Sequence, residues 1–358
     1  MITFIIRRLI QGVIVLVVAS ALIYFLLTLI PGGPLTGMRV PGSKISQGDL
    51  WRLGYLMGLN DLKGHPYPWY ERYARWLFDP SKPGVDISLG PVEIKGGGIL
   101  TGNWGQSITF AKGRPVMELI GQRLPFTLIL MTCALLISLG IAMPIGIISA
   151  VRQYSKLDYG VTLFSFFGLS LPVFWFGWML IILFAVQFQH WHTDVPWLSW
   201  LPYLPPSQAY DPGMEGDVAN RAYHLVLPVI VLSMIEIAGW SRFLRSSVLE
   251  VLRLDYVRTA WAKGLTQRVV ILKHALRNAL IPLITVVALG IPGLFGGAII
   301  TETIFSYPGL GRLYFDALGA FDWPIVMAYL LIITTLTVMA NLLADVLYAF
   351  ADPRVRVG

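Results

Sequence analysis

The stretch LPFTLILMTCALLISLGIAMPIGIISA, residues 124–150, contains no charged side chain. About 20 apolar residues suffice to cross the hydrocarbon core of a bilayer, so this run is long enough to span a membrane. In lipid every backbone N–H and C=O must be satisfied inside the protein, which leaves helices or closed barrels. The run shows no period-2 alternation of the kind a barrel strand needs, so it reads as a helix. Working outward, five more stretches share its character: Leu9–Ile30, Tyr159–Phe188, His224–Trp240, Leu280–Ile300 and Pro324–Phe350. The expectation is an all-α integral membrane protein with six transmembrane helices.

Composition agrees. Of 358 residues 56% are hydrophobic and 13% charged, against roughly a quarter charged in soluble domains. The net charge of +7 is accounted for by Lys and Arg in short loops, so nucleic-acid binding needs no separate hypothesis. A single cysteine, Cys133, lies within an apolar run, which excludes a disulfide framework and a cysteine-based metal site. Arg7-Arg8 followed by an apolar run with Ala19-Ser20-Ala21 has the look of a cleavable secretory signal. The run continues well past that point to Ile30, so it is read as an uncleaved anchor.

With six spans, the basic residues of the short loops fall on one side. Arg7 and Arg8 precede the first span, Arg152 and Lys156 separate the second and third, and Arg242, Arg245, Arg253, Arg258, Lys263, Arg268, Lys273 and Arg277 crowd the segment between the fourth and fifth. The tail with Arg354 and Arg356 joins them, which places both termini in the cytoplasm. Three regions follow: residues 1–30 as N-terminus and first helix, 31–123 as a small extracytoplasmic subdomain, and 124–358 as a core of five helices. Within the second, Trp69, Tyr73, Trp76 and Leu77 share one face at helical spacing, the mark of a short amphipathic helix. Val85–Leu89 and Val92–Ile94 flank Gly90-Pro91 and read as a small hairpin. Gly96-Gly97-Gly98 is read as a connector, because no Lys-Ser/Thr follows it as a phosphate cradle requires.

The most informative segment is DYVRTAWAKGL, residues 255–265, continuing to HALRNALIP, residues 274–282. Its charge alone fits a loop binding anionic lipid headgroups. Its order says more. Small residues at Ala260, Ala262 and Gly264 let a helix seat closely in a partner's groove, Gly264 ends that helix with a sharp turn, and a second helical run, Gln267–Asn278, leads back to the membrane.

These residues resemble the coupling motif of ABC importer permeases, with an Ala-x-x-x-Gly spacing at Ala260–Gly264, in the form typical of the dipeptide, oligopeptide and nickel branch. Arg258 stands where the wider family has an acid and Arg277 where it has a proline. Both departures suit this branch, and no salt bridge through that acid is carried over from maltose-type permeases. The resemblance extends to Ile30-Pro31-Gly32, Gly113-Arg114-Pro115, Arg123-Leu124-Pro125, Ser170-Leu171-Pro172, Leu249–Arg253, Glu302–Arg312, Asn341–Asp345 and Asp352-Pro353-Arg354. It covers nearly the whole chain outside the middle of the connection 37–98.

The resemblance implies a type I ABC importer permease fold whose cytoplasmic coupling segment, 244–280, docks an ATPase through Arg258, Thr259, Ala260, Ala262, Lys263, Gly264, Leu265 and Arg268. It implies a heterodimer with a second, homologous permease in a prokaryotic cell membrane. Two cytoplasmic ABC ATPases would carry ATP and Mg, and an extracytoplasmic substrate-binding protein would deliver cargo. No G-x-x-x-x-G-K-[ST] stretch occurs, so this chain is expected to bind no cofactor of its own and to be a transporter subunit rather than an enzyme. Short peptides are the expected cargo, with nickel and oligosaccharides as alternatives within the branch.

Candidates for the translocation path come from the residues themselves. Gly290, Pro292, Gly293, Gly296 and Gly297 interrupt the fifth span; such residues serve a cavity wall or a tight helix interface equally well. Glu302 at its outer end either meets a cargo amine or takes a structural partner such as Arg312. Glu236 lies inside the fourth span and Asp345 inside the sixth, where charge is costly. Glu236 either faces the path or pairs with an arginine such as Arg242, while Asp345 reads as structural beside Asn341. His190, His192 and Asp194 have metal-ligand chemistry if the chain is extended there, but Trp191, Trp197 and Trp200 around them fit an interfacial aromatic belt, so no metal site is expected. A proton-coupled secondary transporter remains the rival class; two intramembrane acids make a poor relay, and no inverted repeat is visible. An enzyme would need a catalytic constellation that the sequence does not show.

Overall fold

The computed structural model describes residues 2–30, 33–38, 45–61, 63–78, 87–89, 92–94, 98–200 and 203–351. Pro31-Gly32, Val85-Asp86, Gly90-Pro91, Gly96-Gly97, Asp352-Pro353-Arg354 and Arg356 lie outside them. The chain divides into two compact units, one of Ile10–Pro125 with Arg312–Val338, the other of residues 126–311 with the two chain ends.

Helix α1 (Ile2–Thr28), whose residues from Ile10 onward belong to the first of these, carries the first span. Helix α2 (Gln47–Leu56) is N-capped by Ser46, whose hydroxyl accepts the Asp49 amide. Helix α3 (Trp69–Phe78) is the expected amphipathic helix, and its aromatic face lies on α1. Tyr24 sits between Tyr73 and Trp76, with ring centroids 5.7 and 5.6 Å away, Phe25 meets Trp69 at 5.2 Å, and Ser20 shares a 2.7 Å hydrogen bond with the Tyr73 hydroxyl. Strands β1 (Ile87–Leu89) and β2 (Val92–Ile94) pair antiparallel with Leu89 opposite Val92. Among the described residues Leu35, Leu53, Leu59 and Ile108 form one buried cluster of the connection.

What holds the end of this connection is a carboxylate. Asp322 is fully buried, and its Oδ2 accepts the amides of Ile108, Thr109 and Phe110, each at 2.9 Å, and the Ser107 hydroxyl at 2.6 Å. The backbone here curls around an anion, a concave arrangement of N–H groups that favours negative charge.

Helix α4 (Val116–Val151) is the second span. The third departs from the expected single run Tyr159–Phe188. Helix α5 (Lys156–Ser170) stops at Leu171, which is extended at ψ 128°, and α6 (Val173–Leu180) starts after Pro172. The cause is steric, since a proline ring pushes the preceding residue out of the helical region. A π-helical stretch, Ile181–Gln187, joins α6 to α7 (Phe188–Asp194), and Val173–Asp194 together are long and apolar enough to span.

Helix α8 (Val218–Leu252) is the fourth span, capped by Asp217 through the amides of Ala219 and Asn220. Helix α9 (Asp255–Ala262), α10 (Gln267–Val269) and a second π-helical stretch, Val270–Ala275, lead into α11 (Leu276–Ile304), the fifth span. The path turns by 47° between Gln267–Leu280 and Pro282–Phe295, at a proline that removes a backbone donor and crowds the preceding turn. Helix α12 (Leu310–Gly319) and α13 (Trp323–Ala351), the sixth span, complete the chain. Among the described residues five helices are long and apolar enough to span, and the bent pair, counted as one span, gives a sixth. α11 packs along α8 and α6, and α5 packs on α8.

Candidate functional site

The segment singled out in the sequence forms a ledge on a packed base. Val257 and Ala260 face inward, into a cluster with Leu244, Val248, Val270, Ala275 and Ala279. The Asn278 amide group donates to the Tyr256 hydroxyl at 2.6 Å, which ties α9 to the start of α11. Arg258 and Thr259 are exposed, and so is every residue from Trp261 to Val269. Of the eight residues expected to meet a partner, seven are outward. Ala260 is not: at 5% exposure it serves the base of the ledge. Helix α9 ends as its glycine foretold. Gly264 has φ +74°, and nothing lies within 4 Å of where its Cβ would stand, so the turn is fixed by backbone conformation and its outer face is open.

A second feature is a cleft of about 710 Å³ between α8 and α11, lined by Glu236, Gly239, Trp240, Arg242, Phe243 and Gly290 among others. It brings together two of the residues proposed for the path. A Cβ placed on Gly290 would stand 3.5 Å from Glu236 Oε2 and 3.3 Å from Trp240 Cζ2, so the glycine keeps this wall low. Pro292 and Gly293 follow within the next turn; Gly296 and Gly297 lie within α11. The Arg242 guanidinium lies over the Phe166 ring at 5.9 Å, and among the described residues no ion pair joins it to Glu236.

Glu302 is elsewhere, and its surroundings explain the run from Glu302 to Gly311. The side chain is fully buried; Oε1 accepts the Thr127 hydroxyl at 2.6 Å and Oε2 the Gly311 amide at 2.6 Å. Thr127 in turn accepts the Leu310 amide at 2.7 Å, and the Tyr307 amide bonds the Glu302 carbonyl at 2.8 Å. A Cβ on Gly309 would collide with the carboxylate, and one on Gly311 would stand 2.6 Å from Ile299 Cα. Tyr307 packs edge-on against Phe126 at 5.9 Å. This is a closed knot of turn, helix end and α4.

Two ion pairs escaped the sequence reading. Asp158, 2% exposed, receives Arg245 at 2.6 and 2.8 Å, the Ser149 hydroxyl at 2.5 Å and the Tyr154 amide at 2.9 Å. The Arg245 guanidinium holds this carboxyl far below the usual range, against burial, which pushes it up. Asp345 pairs with Arg8 at 3.1 Å; no spacing rule connects residues so far apart in the chain. His190 and Asp194 pair at 2.6 Å as i and i+4 neighbours on α7, and His192 turns to the Tyr203 ring at 5.7 Å. Helix, not extended chain, separates the two imidazoles.

Comparison with known proteins gives the family. Residues 142–357 match the family described as binding-protein-dependent transport system inner membrane component. The oligopeptide transport system permease protein AppB of Bacillus subtilis (strain 168) is 40% identical over 355 residues, 99% of both chains. The dipeptide transport system permease protein DppB of Escherichia coli (strain K12) is 41% identical over 72% of this chain and 78% of its own length. The di/tripeptide transport system permease protein DppB of Pseudomonas aeruginosa (strain UCBPP-PA14) is 35% identical over 99% of each. The chain belongs to the family of binding-protein-dependent transport system inner membrane components. It is a multi-pass ABC importer permease, a transport subunit and not an enzyme.

Proposed function

We propose that this chain forms half of the translocation path for short peptides. It stands beside a second, homologous permease, receives cargo from an extracytoplasmic binding protein, and is driven by two cytoplasmic ATPases that hold ATP and Mg. The observation that carries this reading is the 40% identity, over 99% of both chains, to an oligopeptide permease. The exposed ledge Arg258–Arg268, less the inward Ala260, is the ATPase contact. Its side of the membrane is the cytoplasm, with both termini, because the short-loop Lys and Arg gather there. Glu236, Gly290, Pro292, Gly293, Gly296 and Gly297 line the path, with Glu302 holding the turn at its end. ATP-driven closure of the motor subunits pushes the ledge, and packed helices carry that push as a two-state rearrangement.

The test is purification of this chain from its native membrane in mild detergent, with mass spectrometry of what remains bound, followed by uptake assays in vesicles. Two Walker-motif ATPases, a second permease, and ATP-dependent accumulation of di- and tripeptides are the expected result. Accumulation of nickel or an oligosaccharide in place of peptides would overturn the cargo; a lone chain under conditions that preserve other such complexes would overturn the assembly.

A further inference from the structure

The cleft between α8 and α11 carries one acid, one base and the Ser246 hydroxyl on walls that are otherwise mainly apolar. Glu236 lies within a membrane span, where an ionised carboxylate is expensive unless a cation meets it. Among the described residues no hydrogen bond or ion pair serves it. Arg242 follows six positions later on the same helix, a rise of about 9 Å. An extended peptide advances roughly 3.3–3.6 Å per residue, so a dipeptide at roughly 7 Å and a tripeptide at roughly 10 Å bracket this axial rise. The cleft volume of about 710 Å³ falls among those of small-molecule sites, roughly 300–1,000 Å³.

We infer that this cleft is a peptide site inside the path, in which Glu236 receives the α-ammonium group of the cargo and Arg242 its carboxylate, with Trp240 and Phe243 as the apolar wall. The inference rests on the importer reading above and adds to it the residues that recognise cargo within the membrane. Its two signs match a zwitterion; a basic side chain from the second permease would need only the acid. Gly290 belongs to the same design, because a Cβ there would press on Trp240 at 3.3 Å and come into contact with Glu236 at 3.5 Å.

The experiment uses the complete importer in vesicles, with radiolabelled Ala-Ala and Ala-Ala-Ala as probes. Glu236→Gln should lower uptake about tenfold, equivalent to about 1.4 kcal/mol, while ATP hydrolysis stimulated by the loaded binding protein persists and Glu236→Asp restores part of the uptake. Gly290→Val, which narrows the cleft without touching charge, should lower uptake of the tripeptide more than that of the dipeptide. Unchanged uptake with Glu236→Gln, in vesicles where the wild type transports, would overturn the site and leave the importer reading standing. Loss of the second permease from the Glu236→Gln complex would also overturn it, and assign the acid to the subunit interface. Wild-type vesicles that accumulate no peptide would sink the cargo reading and this site with it.

Discussion

Arg245 of α8 forks onto both carboxylate oxygens of Asp158 at the start of α5, its Nε at 2.6 Å and a terminal nitrogen at 2.8 Å. The acid is 2% exposed, and Ser149 and Tyr154 occupy its remaining acceptor sites. Removing Asp158 leaves Arg245 unpaired, but that side chain is 24% exposed, so the loss falls below the roughly 3–5 kcal/mol of a fully buried pair. Asp158→Ala is expected to lower the thermal midpoint of the purified chain sharply, and an unchanged midpoint would show that the pair contributes nothing.

The same pair sets a pH dependence. The folded-state pKa of Asp158 is depressed, so its contribution is complete above the ordinary carboxylate pKa of about 4 and fades as pH falls below it. The difference in midpoint between wild type and Asp158→Asn should therefore be constant from pH 7 to about pH 5 and shrink in stronger acid. A difference that grows on acidification would contradict the sign.

The ledge predicts a separation of docking from folding. Ala262 is exposed, so Ala262→Asp changes a contact surface without disturbing the core. Gly264→Trp adds bulk at a left-handed residue, with a backbone cost of about 1–2 kcal/mol, at a turn with nothing within 4 Å of its Cβ position. Each should reduce ATPase retention on affinity purification by about tenfold or more, the scale of a buried interface residue, while the permease pair stays inserted. Normal retention in both variants would remove the ledge from the interface.

At Glu302, replacement by Gln leaves one acceptor oxygen where two served Thr127 and the Gly311 amide. One buried donor is then unsatisfied, at about 1–3 kcal/mol. Glu302→Gln is expected to lower the thermal midpoint with little change in peptide selectivity. A shift in selectivity at unchanged stability would place the acid in the path instead.

Asp322→Ala orphans the three amides of residues 108–110. The connection between α1 and α4 should become sensitive to limited proteolysis, and delivery by the binding protein should weaken while ATPase retention is unaffected. Resistance equal to wild type would make the cradle dispensable.

Much of this molecule was legible in its sequence because the signals were local. Apolar length marked the spans, the spacing of Trp69, Tyr73 and Trp76 marked α3, and the Gly264 turn closed α9 where expected. The reading went astray where a local rule met a longer pattern: Pro172 divides a run whose hydropathy is continuous. It was silent where partners are distant in the chain, as for Asp158 with Arg245, Arg8 with Asp345, and Asp322 with residues 107–110. Burial also sorted what composition could not. Ala260 and Ala262 are alike in sequence, but only the second faces outward, and Glu236 and Glu302 are both carboxylates at membrane depth with opposite surroundings.

The six residues Val270–Ala275 form a π-helical turn directly after the exposed ledge. Such a turn holds one more residue than an α-helical turn, a local slack in the winding. Taking up that slack rotates the helix beyond it by about 100° per residue, and α11 is the helix that carries Gly290. A straight push on the ledge would thus arrive at Gly290 as a twist, turning a different face of α11 toward the cleft.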